Sequence, residues 1–282
     1  MPDLELITVV ITTYNRPDQL LGALHSVAEQ DHPNIEVVVI DDASERDYRE
    51  VLAAAPIPLR YVRLERNGGA CRARNRGIRE AQGSLIAFLD DDDRWVPAKL
   101  SRQVTALADG EACLCGYLRS TGRVHLLERD TIDAQRLYRH NRICGTSGLL
   151  VRRTVMQELW FDEALPNAQD WDLYLRLALR QPLRYVREPL MVFNDGGHER
   201  ITNRSRQQSH KQLLDRLKAV EKHRPLIGES NYRRRVAGTL MAYWSQRNDR
   251  ARVLWLCIKY AGWRATAGYM VSRLYPSTPS GD

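Results

Sequence analysis

No run of eighteen uncharged apolar residues occurs in the chain, so the sequence predicts no transmembrane helix. The first residues, Met1-Pro2-Asp3-Leu4-Glu5, are acidic and lead straight into a strand, unlike the basic and then apolar start of a signal peptide. Cysteine is scarce and odd in number (Cys71, Cys113, Cys115, Cys144 and Cys257), with no CxxC spacing. A zinc site and a disulfide framework are therefore disfavoured, and reduced thiols in a cytosol are expected. No GxGxxG follows the first predicted strand, which argues against a dinucleotide site of the usual kind. Internal repeats and long low-complexity linkers are also missing.

What is present is ordinary bulk and an uneven charge. The 282 residues are 43% hydrophobic and 27% charged, enough to fill one large soluble domain or two modest ones. The net charge of +7 hides two opposed parts. From Arg200 onward there are 17 Lys and Arg against 5 Asp and Glu, whereas residues 1–199 carry 25 against 30. A basic tail behind an acidic body suits an anionic partner: a membrane surface, a phosphorylated acceptor or nucleic acid.

Along the chain, apolar β-branched runs at 6–12, 35–40, 59–64 and 84–89 predict buried strands. Helical spacing predicts helices over about 17–29, a short one through Leu52, 70–81 and 98–108. Strands alternating with helices describe a Rossmann-like α/β unit over residues 5–110. Shorter strands follow at 112–117, 123–127 and 149–152, then a helix from Asp170 and a strand 184–194 interrupted at Pro189. The basic tail reads as three helices, roughly 203–222, 230–247 and 250–273.

Carboxylates collect where these strands end. Leu85 to Leu89 runs into Asp90-Asp91-Asp92-Asp93, the strand 35–40 ends in Asp41-Asp42, and Asp170 opens a helix. Open α/β sheets bind ligands beyond the carboxyl ends of their strands. Four adjacent carboxylates repel one another, and an oxygen-rich cluster suits Mg²⁺ or Mn²⁺ with substrate phosphates completing the shell. A solvated acidic turn capping the helix after Pro97 is the alternative. Such carboxylates would serve displacement at a carbon bearing a diphosphate: a cation offsets leaving-group charge, one carboxylate accepts a proton and another contacts the nucleotide.

The stretches Val9-Val10-Ile11-Thr12-Thr13-Tyr14-Asn15-Arg16-Pro17, Ile40-Asp41-Asp42-Ala43-Ser44, Asn67-Gly68-Gly69 with Ala73-Arg74-Asn75-Arg76-Gly77-Ile78, and Phe88-Leu89-Asp90-Asp91-Asp92-Asp93 closely resemble the family 2 glycosyltransferases of the GT-A fold. Gln169-Asp170-Trp171-Asp172-Leu173 looks like that family's second acidic motif, with Gln169 where an acidic residue is usual. The resemblance covers residues 6 to about 200. It implies a mixed α/β sheet flanked by helices, with a catalytic domain over 1–200 (donor half 1–110, acceptor half 111–200) and a basic helical extension over 201–282. The implied activity is an inverting, metal-dependent transfer from a nucleotide sugar to a hydroxyl.

Carried over residue by residue, Thr12, Tyr14 and Arg16 would line the donor pocket, with Tyr14 near the base. Asp41 and Asp42 would contact base and ribose, or only cap a helix. Arg74 would approach the diphosphate, unless like most arginines on such a helix it faces water. Asp92 is the expected metal ligand and Asp91 lies near the ribose or diphosphate. Asp90 and Asp93 are second-shell or capping residues, Asp90 still counted with the donor site. Asp170 is the expected general base, with Asp172 pointing elsewhere on the same helix. His198, in a Gly-Gly-His loop, is a candidate for the metal or diphosphate. Trp95 and Trp171 could floor the acceptor site or simply pack in the core. Expected donors are uridine diphosphate sugars first and thymidine diphosphate rhamnose second. The acceptor would be a glycan or a lipid-linked sugar of the cell surface, with no nucleic acid. The location would be cytoplasmic, the basic helices touching an anionic inner membrane. Rival readings are a nucleotidyltransferase, which would want a Gly- and Lys-rich loop after the first strand, a nucleic-acid-binding module and a silent scaffold.

Overall fold

The computed structural model describes residues 5–139, 143–194, 209–242, 244 and 247–274. It divides into two compact units. The first holds Met1–Asp133, Arg142–Glu163 and Leu173–Gly196; the second holds Ala134–Asn141, Ala164–Asp172 and Gly197–Asp282. The second unit thus draws in two segments that the sequence assigns to the catalytic body.

The first unit is built on one sheet. β1 (Ile7–Thr13), β2 (Ile35–Asp41), β3 (Leu59–Arg63) and β4 (Leu85–Asp90) are mutually parallel, in the order β3-β2-β1-β4. Their apolar runs reflect burial on both faces: Val9 to Ile11, Val38 to Ile40 and Leu85 to Ala87 are fully buried. The crossover segments carry α1 (Pro17–Ala28), α2 (Arg49–Ala53) and α3 (Ala70–Glu80). β1 has β2 on one side and β4 on the other, so winding reverses there, and open α/β sheets bind ligands beyond the carboxyl ends of the strands at such a reversal.

Beyond β4 the sheet becomes mixed. β5 (Arg94–Trp95) and α4 (Lys99–Leu107) precede β6 (Ala112–Arg119), β7 (Val124–His125) and β8 (Thr131–Ile132). α5 (Ala134–Arg139), β9 (Leu150–Arg152), α6 (Arg153–Leu159), α7 (Gln169–Arg180) and β10 (Leu183–Phe193) follow. β9 runs antiparallel to both β4 and β6, and β10 lies parallel to β6 with register shifts on both sides of Pro189. A proline offers no N–H to the ladder, so the sequence break at Pro189 becomes an irregularity within one strand.

The second unit is helical. It contains α5, the first turn of α7, α8 (His210–Asp215), α9 (Lys218–Lys222), α10 (Arg224–Met241), α11 (Arg250–Ala261) and α12 (Trp263–Leu274). Three helices were expected over 203–273; five are described. Gly228 (φ +74°) interrupts α10 and Gly262 (φ +84°) separates α11 from α12, backbone states that glycine adopts without penalty. Ser209 caps α8 through a reciprocal bond with Gln212.

Gly77 shows how closely helix and sheet meet. A Cβ built there would lie 2.2 Å from Val10 Cγ1, on a side chain that is fully buried in β1. Helix propensity alone would make Gly77→Ala stabilising by about 1 kcal/mol. The contact reverses the sign: overpacking should cost about 1–3 kcal/mol, lowering Tm by roughly 2–12 °C in a thermal melt. An unchanged or raised Tm would contradict this packing.

Candidate active site

The register of the parallel strands assembles the site. Thr12 lies opposite Ile40 on one side and Asp90 on the other, and Thr13 lies opposite Asp41. Neighbouring strands are about 4.8 Å apart, so Asp41-Asp42, Thr12-Thr13 and the start of the aspartate run end side by side.

The two loops leaving β1 and β2 are tied together. Asn15, at φ +57°, accepts at Oδ1 from the amides of Glu45 (2.7 Å) and Arg46 (3.2 Å), while its own amide donates to Ser44 Oγ (2.8 Å). Asp41 is buried and accepts from the amide of Ser44 at 2.9 Å, from the Ser44 hydroxyl and from Tyr61 Oη at 2.6 Å. Asp42 accepts from the amides of Gly68 (2.8 Å) and Gly69 (2.7 Å), one bond on each oxygen. That pair fixes the turn from which α3 starts, with Gly69 at φ +83°. Tyr14 is 42% exposed and free to meet a flat ligand, while Thr12 is buried.

The four aspartates turn to different partners. Asp91 is fully buried, accepting from Thr13 Oγ1 at 2.7 Å and pairing with Arg16 Nη2 at 2.7 Å. The same guanidinium reaches Asp92 at 3.1 Å. Asp90 takes Arg74 Nη2 at 2.6 Å, and its amide donates to Ser147 Oγ at 3.1 Å. Asp93 accepts from Ser147 Oγ at 2.6 Å and from the Asn194 amide at 3.3 Å. Asp90, Asp92 and Asp93 each offer a carboxylate oxygen, all within 4.8 Å of one another. Burial pushes the Asp91 carboxyl up to about 7, against the pull of Arg16 and Thr13. Burial, then the neighbouring Asp90 and Asp92, push Asp93 up to about 8.

Several expected placements change here. Asp91 is fully buried, an internal anchor for Arg16 and Thr13. Asp93, expected either to support the metal ligands from behind or to cap a helix, joins Asp90 and Asp92. Arg74 is buried rather than solvated, ion-paired to Asp90 and lying 5.4 Å from the Phe161 ring centroid. Arg16 meets Asp91 and Asp92 directly. Trp95 and Trp171 are buried in the core, with indole N–H groups donating to Ser147 O and Leu137 O (both 2.8 Å), so neither floors a binding site. His198 lies outside the described residues. Thr13, Ser147 and Asn75 have parts here that no motif assigned to them; Asn75 clasps Phe161 through two bonds of 2.9 Å. The signal for Ser147 was the run of small and hydroxyl residues Gly145-Thr146-Ser147-Gly148, and Thr13 and Asn75 stand within the stretches that carry the family resemblance.

Asp170 stands in the first turn of α7, in the second unit. Its two neighbours are anchors. Trp171 is fully buried beneath the Arg235 guanidinium, 3.6 Å from ring centroid to Cζ, and Asp172 is buried against Lys222 (2.8 Å) and His223 (2.7 Å). Asp172 therefore points away from Asp170's side of the turn, as the spacing predicts. Burial lowers the Arg235 guanidinium to about 10, while the charge of Asp170 opposes that fall.

A family model for Glycosyl transferase family 2 matches residues 8–160, more than half of the chain. The chain belongs to glycosyltransferase family 2. It is 31% identical to YwdF, named an uncharacterized glycosyltransferase of Bacillus subtilis, over 77% of this chain and 84% of that one. The succinoglycan biosynthesis protein ExoO of Rhizobium meliloti is 40% identical over 59% of this chain and 54% of its own. The Escherichia coli UDP-Glc:alpha-D-GlcNAc-diphosphoundecaprenol beta-1,3-glucosyltransferase WfaP is 35% identical over 36% and 41%. Among solved structures, Staphylococcus aureus TarS 1-349 with UDP-GlcNAc superposes with a TM-score of 0.63 at 16% identity, covering 98% of this chain and 93% of that one. The Pyrobaculum calidifontis mannosyltransferase PcManGT, with GDP-Man and Mn²⁺, gives 0.61 at 19%, covering 98% and 82%. This glycosyltransferase has their GT-A fold: a central mixed sheet flanked by helices.

The donor set fits a hard divalent cation. Three carboxylates converge, and among them Asp93 is raised to about 8 by burial first and by the neighbouring Asp90 and Asp92 second. A carboxyl whose folded pKa exceeds its unfolded value near 4 binds more protons when folded, so stability falls as pH rises towards 8. A cation held by the cluster would displace the Asp93 proton. The rise in Tm caused by Mn²⁺ should therefore be larger at pH 8 than at pH 6, as read by differential scanning fluorimetry; an equal rise at both would contradict the reading.

Proposed function

We propose that this family 2 glycosyltransferase is an inverting, divalent-metal-dependent enzyme. It moves a hexose or deoxyhexose from a nucleoside diphosphate sugar to a hydroxyl of a glycan or lipid-linked acceptor, in the synthesis of surface polysaccharide or lipopolysaccharide. The observation that carries this reading is the convergence of Asp90, Asp92 and Asp93 beside Thr12 and Asp41, at the winding reversal of the sheet. Names of relatives support the substrate class: ExoO is a succinoglycan biosynthesis protein, and WfaP is named for UDP-Glc and a diphosphoundecaprenol acceptor. TarS with UDP-GlcNAc favours a uridine diphosphate donor, with thymidine diphosphate rhamnose second. The catalytic domain would occupy 1–200 and the basic extension 201–282, at the cytoplasmic face of the inner membrane.

Asp90, Asp92 and Asp93 would hold Mn²⁺ or Mg²⁺, whose charge offsets that developing on the leaving diphosphate. Tyr14 offers an exposed ring for the base, beside Thr12 and the Asp41-Asp42 loop, for the nucleoside. Arg16 bridges Asp91 and Asp92 and contributes positive charge where the diphosphate would lie. Arg74 acts through Asp90, holding its carboxylate in place. Asp170 takes the proton of the acceptor hydroxyl as its oxygen attacks the anomeric carbon. The carbon–oxygen bond to the diphosphate breaks on the opposite side, its electron pair leaves with the diphosphate, and configuration inverts.

Nucleotide and nucleotide-sugar thermal shifts, with and without Mn²⁺, test the reading: stabilisation by a uridine or thymidine diphosphate sugar should require the metal. A shift of equal size without metal would overturn the metal assignment. Asp170→Asn should lower transfer by roughly 10²–10⁴-fold while preserving the donor shift. Loss of that shift would remove Asp170 from the base role.

A further inference from the structure

From Arg250 to Leu274 the chain holds five basic residues, two tryptophans and neither Asp nor Glu. α11 packs on α10 and α12, and buries Val253, Leu256, Cys257 and Ala261. Its opposite side exposes Arg252, Trp255, Ile258 and Lys259, Trp255 to 56% and Ile258 to 45%. Spacings of three and four residues bring these side chains onto one strip of the helix. α12 also packs on α10, and exposes Trp263 (66%), Arg264, Ala267 and Val271 (55%), again at spacings of three and four. Lys259 Nζ lies 5.0 Å from the Trp255 ring centroid, and Arg264 Cζ lies 5.3 Å from that of Trp263.

Large indoles exposed beside cations are the chemistry of a surface that is half oil and half phosphate. Tryptophan settles where one end is apolar and the other wet, and lysine and arginine meet lipid phosphates there. No helix among the described residues is long and apolar enough to cross a membrane, so such helices would lie on the surface. We propose that the outward faces of α11 and α12 dock this protein onto an anionic lipid bilayer, with Trp255, Ile258, Trp263 and Val271 entering the headgroup boundary and Arg252, Lys259 and Arg264 meeting the phosphates. This gives residues and lipid chemistry to the peripheral location proposed above, and rests on that location but not on the transfer reaction. A lipid-linked acceptor would then be met in the plane where it resides.

Flotation of the full chain with phosphatidylcholine vesicles, with and without phosphatidylglycerol, tests the proposal. Binding should require the anionic lipid and weaken with salt. Trp255→Ser with Trp263→Ser should cut partitioning about tenfold or more, and Lys259→Ser or Arg264→Ser about fivefold each. Brominated lipids should quench tryptophan emission in the parent but not in the double variant. The metal-dependent donor shift of each variant should match the parent, which shows that the fold is kept. Equal binding to neutral and anionic vesicles, or a double variant that floats like the parent, would overturn the proposal. So would loss of self-association, or of oligonucleotide binding, in that variant without any vesicle binding by the parent. If vesicle binding behaves as stated and no donor shift occurs, the surface stands and the transferase reading fails.

Discussion

Ionised carboxylates on four successive residues repel one another strongly when water is excluded, and the turn after β4 exists because other elements relieve that repulsion. Arg16 comes from the β1–α1 loop and bridges Asp91 and Asp92; Arg74 comes from α3 and takes Asp90; Ser147 comes from the turn before β9 and takes Asp93. Each partner arrives on a different element. Their positions are therefore coupled: displacing the entry to α1, the seat of α3 or the 146–148 turn leaves a carboxylate uncompensated. Three carboxylates still face one another after these pairings, and a divalent cation is the natural complement to that residue of charge.

Away from the aspartates, side chains rather than longer secondary structure hold the loops after β1 and β2 in place. Asn15 (φ +57°) and Ala43 (φ +62°) both occupy left-handed backbone, a strain of order 1–3 kcal/mol at each that surrounding bonds must hold in place. Asn15 binds two amides of the next loop, Asp41 gathers Ser44 and Tyr61, and Asp42 holds the Gly68-Gly69 turn. In the second unit the same device recurs around α7. Trp171 and Asp172 are pinned by Leu137, Arg235, Lys222 and His223, which fixes the direction in which Asp170 projects.

The parallel half of the sheet was legible because strands buried on both faces must be continuously apolar, and Ile7–Thr13, Ile35–Asp41 and Leu85–Asp90 lie within a residue or so of the predicted runs. The family was legible from motifs in order. The register within Asp90 to Asp93 was not, because identical neighbours carry no local distinction. What separates them is Thr13, 78 residues before Asp91, and Ser147, 54 residues after Asp93. Nor could periodicity reveal that Gly262 breaks the helix expected over 250–273, since glycine fits a helix pattern until its φ turns positive. The short α5 and α6 carry too few turns to show a period.

In the readings proposed above, the outward faces of α11 and α12 suit an anionic surface, and the aspartates of the first unit suit the metal and diphosphate of an activated sugar. The central claim concerns the second. It is tested most directly by crystals of the protein grown with Mn²⁺ and a nucleoside diphosphate, with anomalous scattering recorded to locate the ion. The account predicts one peak about 2.2 Å from carboxylate oxygens among Asp90, Asp92 and Asp93, with diphosphate oxygens completing the shell. A fully occupied nucleotide with no anomalous peak there, or an ion bound by other residues, would contradict it.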